Sequence, residues 1–154
     1  MSLTQPAEGI RVAVAGDVYR YLVTGEQTGG KYAVFDAFVP PGGGPPPHIH
    51  SREEEGFYIL EGEIAFTVNG ERIVAGPGTY ANVSVGSPHA FKNETDRPAR
   101  MLITVAPAGL ERMFMEVGTV LEPGATASPP TAEEIGKLTE VAPKYGIELL
   151  LTKH

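Results

Sequence analysis

His48-Ile49-His50 sets two imidazoles two positions apart, directly after a run of prolines. On a β-strand, residues i and i+2 share a face, so both rings can aim at one point. Three acids follow at Glu53, Glu54 and Glu55, and a third histidine, His89, comes after Gly86-Ser87-Pro88. The fourth histidine is the terminal His154. Imidazole nitrogen binds divalent transition metals at about 2.0–2.1 Å. Three histidines with one carboxylate suit Fe, Mn, Ni, Cu or Zn and leave coordination positions open for water or substrate. The chain contains no cysteine, which excludes disulfides, thiolate metal sites and cysteine nucleophiles.

The elements around these residues read as short strands. Of 154 residues, 19 are Gly and 14 Pro, while 42% are hydrophobic, so many turns separate segments that can still bury a core. Arg11–Ala15, Val18–Thr24, Lys31–Val39, Phe57–Leu60, Glu63–Val68, Tyr80–Val85, Ala90–Lys92 and Arg100–Val105 are the expected strands. Asn69-Gly70 between Ile64/Phe66/Val68 and Ile73/Val74 is a hairpin signal. Pro40 to Pro47 can be neither helix nor central strand, because Pro lacks the donor and Gly lacks packing. Regular short strands without a helical period indicate an all-β sandwich or barrel. Leu110–Val117 fits a strand or a short helix equally well. Thr131 and Glu134 form a capping box ahead of Ile135, Leu138, Val141 and Ala142, so a C-terminal helix is expected, ended by Pro143 and Gly146.

Two spacings carry a resemblance. Gly42, five residues, His48-Ile49-His50, four residues, Glu55, six residues and Gly62 match the first cupin motif throughout. Gly78, Gly86, His89 and Asn93 match the second, with Ser84 where that motif has proline. The chain thus resembles the cupin superfamily over Val34 to Val105, and is similar to single-domain bacterial cupins of the quercetin 2,3-dioxygenase type. The resemblance implies a double-stranded β-helix, or jelly-roll barrel, with a short C-terminal helix. It implies one divalent ion (Fe, Mn, Ni, Co, Cu or Zn) held by His48, His50, Glu55 and His89. The Gly62 register selects Glu55, leaving Glu53 and Glu54 as a solvated edge. The expected organisation is a barrel domain over residues 1–118, core 34–105, then a linker and helical extension over 119–154.

Strand parity adds a pocket. If Glu55 faces inward, so do Phe57 and Ile59 but not Tyr58; if His89 does, so does Phe91. With Phe35, Phe38, Phe66, Met101, Ile103, Met113, Phe114 and Met115 as further candidates, the expected pocket is apolar and suits an aromatic or enolic small molecule. Arg52 stands alone beside the motif, which disfavours a phosphate ligand. The expected function is a metal-dependent dioxygenase with Glu55 also as proton acceptor. The alternatives are a non-catalytic small-molecule binding or sensor protein and a metal-dependent isomerase or epimerase. Twelve Lys and Arg against 19 Asp and Glu give a net charge of −7, a poor match to nucleic acid or an anionic membrane. No basic, apolar leader precedes Arg11, so a cytoplasmic location is expected. Family analogy adds a homodimer.

Overall fold

The computed structural model describes residues 1–151; His154 and the rest of 152–154, the end of the expected extension, lie outside the described residues. The elements in order are β1 (Arg11–Val14), β2 (Asp17–Val23), α1 (Gly25–Thr28), β3 (Ala33–Val39), β4 (His48–His50), β5 (Glu54–Glu61), β6 (Ile64–Val68), β7 (Glu71–Ala75), β8 (Tyr80–Val83), β9 (His89–Lys92), β10 (Ala99–Ala106), α2 (Leu110–Val117), β11 (Thr119–Val120), α3 (Ala132–Val141), a 3₁₀ turn (Ala142–Tyr145) and β12 (Ile147–Leu149). The strands form two antiparallel sheets, ordered β11-β1-β2-β3-β10-β5-β8 and β12-β4-β9-β6-β7. This is an all-β jelly roll with few helices, as the strand pattern requires.

Alternation sorts each strand into core and surface. On β10, Ala99, Met101, Ile103 and Val105 are buried while Arg100, Leu102 and Thr104 are only partly so. On β5, Glu55, Phe57 and Ile59 face the interior and Tyr58 faces out. The β6–β7 hairpin turns at Asn69 and Gly70, both at positive φ (51° and 82°), as a type I′ turn demands. Gly62 turns β5 into β6 at φ 78°, where a Cβ would meet the Pro98 carbonyl oxygen at 2.7 Å.

The C-terminal region resolves one open reading and departs from one expectation. Leu110–Val117 is a helix, and its Leu110, Met113, Phe114 and Val117 pack on the sandwich. α3 begins at the Thr131/Glu134 capping box, but past Gly146 the expected helical extension becomes a strand, β12. β12 pairs with β4, matching Ile147 to His50 and Leu149 to His48. The tail is therefore part of the five-stranded sheet.

Candidate metal centre

The site lies between the two sheets. β4 supplies His48 and His50, its neighbour β9 supplies His89 opposite His48, and β5 of the facing sheet supplies Glu55. Local clamps fix this arrangement. The glycine run before β4 crosses the end of β9 closely: a Cβ on Gly44 would lie 2.0 Å from the Phe91 carbonyl oxygen. The Gly42 amide donates to the Asn93 carbonyl (2.8 Å) and the Asn93 amide to the Gly43 carbonyl (2.9 Å). The fully buried Asn93 side chain donates to the Val39 and Arg97 carbonyls. Asn93 thus ties strand ends together and stands outside the ligand set.

All four side chains are buried, and one ligand atom from each lies within 4.8 Å of the others. Each imidazole is oriented through Nδ1. His48 Nδ1 donates to the Pro46 carbonyl (2.8 Å), His89 Nδ1 to the Ser87 carbonyl (2.9 Å), and His50 Nδ1 lies 2.9 Å from the Glu53 carboxylate. Those partners accept only, so each Nδ1 carries a proton, and whenever a ring is neutral its Nε2 lone pair is free. Yet Nε2 of His50 and His89 lie 2.6 and 3.0 Å from the same oxygen, Oε1 of Glu55. Lone pairs facing a carboxylate oxygen at that range repel, unless a cation or extra protons lie between them. Two ligands bound at right angles at about 2.1 Å would be about 3 Å apart. The buried cluster therefore fits a divalent metal site of the kind expected.

The same packing shapes the protonation of the metal-free site. Burial, then the neighbouring His89 and His50, lowers His48 to about 4. Burial opposes the charged form of His50, but the Glu53 and Glu55 carboxylates together outweigh it and raise His50 to about 9. Burial disfavours the Glu55 carboxylate, yet the facing imidazoles, His50 foremost, hold it well below the usual carboxylate range.

Glu53 corrects the sequence-based expectation. It is only 4% exposed and serves as the Nδ1 partner of His50, whereas Glu54 is exposed and binds Asn82 Nδ2 at 3.0 Å. The signal was the three-residue step from His50 to Glu53, which lets a tight turn fold the acid back onto the ring. A carboxylate behind a ligating imidazole fixes its tautomer and raises its basicity.

A mostly apolar cavity adjoins the cluster, walled on the barrel side by Tyr19, Phe35, Phe57, Phe91 and Ile103. Met113 and Phe114 of α2 also line it, as the sequence led us to expect. Phe66 and Met101 are buried without reaching the cavity, while Phe38 and Met115 are exposed on the surface. Parity cannot tell a residue facing the cavity from one facing the solid core. The cavity also has walls absent from the sequence-based set: Leu110, Leu138, Ile147 and Leu149.

A jelly roll with three inward histidines and one glutamate on facing sheets defines the class: a β-barrel protein with a buried cluster that fits a divalent metal site. Comparison with known proteins gives the family. Residues 35–105 match the cupin domain family. It is 26% identical over 132 residues to quercetin 2,3-dioxygenase of Bacillus subtilis, covering 86% of this chain and 38% of that protein. It is 28% identical over 92 residues to the tetracenomycin polyketide synthase protein TcmJ of Streptomyces glaucescens, covering 60% of this chain and 62% of that one. The match thus spans less than two thirds of either relative's length. In fold it is similar to a structure from Thermotoga maritima described as a predicted oxalate decarboxylase (TM-score 0.64, 21% identity, 70% of this chain and 99% of that one).

Proposed function

We propose that the protein is a metal-dependent dioxygenase acting on an aromatic or enolic small molecule, with His48, His50, Glu55 and His89 as the ligands of one divalent ion. The observation that carries this reading is the convergence of three Nδ1-anchored imidazoles on the Glu55 carboxylate at one end of an apolar cavity. The similarity to quercetin 2,3-dioxygenase supports the choice of chemistry. Bound in this set, a divalent metal supplies a Lewis-acidic charge that favours the deprotonated form of an enol or phenol.

The chain's residues do the rest. The Pro46 and Ser87 carbonyls and the Glu53 carboxylate hold the three rings in one tautomer. Glu55 accepts the substrate's hydroxyl proton, for which its position among the ligands suits it. The aromatic walls keep water from the electron-rich substrate while dioxygen reacts with it. Glu55→Gln should therefore reduce turnover far more than metal content.

The test is oxygen uptake by metal-loaded protein with flavonols, catechols, enols and β-diketones, against free-metal controls. Uptake above the controls is expected. No uptake, with calorimetry showing a candidate bound, replaces the oxygenase by a non-catalytic binding protein. The reading includes a homodimer in the cytoplasm. Phe38, Tyr58 and Tyr80, exposed on the outer face of the seven-stranded sheet, support the dimer. Light scattering that gives a monomer at micromolar concentration rejects it.

A further inference from the structure

We propose that α3 is a lid over the candidate metal centre, with Leu138 as the side chain that keeps aromatic ligands out until α3 moves. The ligand class rests on the oxygenase reading above. The cavity beside His48, His50 and Glu55 measures only about 60 Å³. A cavity of about 150 Å³ is the size known to hold benzene. For an aromatic substrate to be enclosed beside the histidines, one wall has to move.

The walls differ in how they are held. The barrel wall is sheet. α2 is anchored: the Glu111 carboxylate accepts from the Gly25 and Gly109 amides at 2.6 Å each, and Tyr21 donates to the Glu111 carbonyl. Phe114 of α2 stacks on Tyr19 with ring centroids 4.2 Å apart. β12, which brings Ile147 and Leu149, is paired to the strand that carries His48 and His50.

α3 has none of these anchors. Of its ten residues only Leu138 and Val141 are buried, and its side-chain hydrogen bonds, through Thr131, Glu134 and Thr139, are internal to its own segment. Further cavities lie alongside it, one of about 140 Å³ walled by Glu134 and Leu138, another of about 420 Å³ reaching Ile135. Both are open to solvent, so little packs against those sides of the helix. An element with few buried contacts and open pockets beside it opens before the sheets do. It is joined to β11 by a Pro- and Gly-containing stretch, residues 121–130, free of helix and strand, which can absorb the movement.

The test uses the full chain loaded with Co(II), two probes and stopped-flow absorption. Azide fits the existing space; 4-nitrocatechol does not. In the native protein the 4-nitrocatechol association rate should level off at high ligand concentration, because opening limits it. Leu138→Ala should raise that ceiling by about tenfold or more, since the plug is gone, while azide associates equally with both forms. The same ceiling in both proteins, or no ceiling in the native one, overturns the lid and leaves the oxygenase reading standing. If azide binds and 4-nitrocatechol binds neither protein, both the lid and the aromatic reading fall. Hydrogen exchange on the unaltered chain gives a test without a variant. Amides of residues 135–141 should exchange far faster than those of β10, at the opening rate seen in stopped flow. Equal protection of the two overturns the lid.

Discussion

Asp36 and Glu55 are both buried carboxylates on the seven-stranded sheet, but on opposite faces and with opposite kinds of partner. Asp36, on the outer face, accepts from Arg20 Nη2 at 3.1 Å and from Arg100 Nε and Nη2 at 2.8 and 2.9 Å. Glu55, on the inner face, lies against the Nε2 atoms of His50 and His89. Guanidinium keeps its proton at every accessible pH, and its bonds to Asp36 lock β2, β3 and β10 together. Imidazole exchanges its proton readily, so the Glu55 cluster can trade protons for a metal ion. Burial alone thus does not make a candidate metal site; a partner able to give up a proton does.

A third carboxylate sharpens the contrast. Asp17, at the start of β2, is 1% exposed, and neither oxygen has a hydrogen-bond partner among the described residues. Burial pushes it up to about 7, opposed by the nearby Gly44 amide. It has neither arginines nor imidazoles to satisfy it, and at low pH it is simply a neutral acid in the core.

The largest effect should come from emptying the exchangeable cluster. His48→Ala combined with His50→Ala should take the chain from close to one bound ion to none, by metal analysis, while far-ultraviolet circular dichroism still reports a β protein. A wild-type sample that stays metal-free after incubation with Fe, Mn, Ni, Co, Cu and Zn erases the distinction between the two clusters. Next comes the locked cluster. Asp36→Ala should cost about 3–5 kcal/mol in urea unfolding, because it removes three charge-assisted hydrogen bonds that join three strands, and should leave metal content unchanged.

Asp17 gives a pH signature of comparable or smaller size. Below its ordinary value of 3.8 both native and unfolded chains hold the proton. As pH rises towards 7 the unfolded chain releases it first, so native stability falls, and the full loss is present above 7. Asp17→Asn should be about as stable as wild type at pH 4 and more stable at pH 8, by up to about 4 kcal/mol. A parallel pH profile for the two proteins rules this out. The smallest effect is on Glu53. Glu53→Gln should weaken metal binding about 10- to 100-fold. With His50 raised to about 9, binding must displace a proton at neutral pH, so native affinity should rise by about tenfold per pH unit between 7 and 9. Titration calorimetry should show a shallower slope in the variant.

Much of this was legible in the chain because it is written locally. Strand alternation put Glu55, Phe57 and Ile59 inside and Tyr58 outside; Asn69-Gly70 named its hairpin; Thr131 and Glu134 named the start of α3. These signals span a few residues and depend on backbone period and turn chemistry. The spacing of His48, His50, Glu55 and His89 likewise foretold which side chains would meet. Glu53 was misread because composition made it one of three surface acids, and only the fold of the turn decides which acid swings back onto His50.

The tertiary structure alone decided the pairing of Ile147 with His50, the cover that Leu138 and Leu149 provide, the size of the cavity, and the isolation of Asp17. Each of these joins segments far apart in sequence, such as the Ser51 hydroxyl that donates to the Gly146 carbonyl. No local period records such a contact. It arises when two sheets and two helices compete to bury the same apolar surface, and packing selects the arrangement.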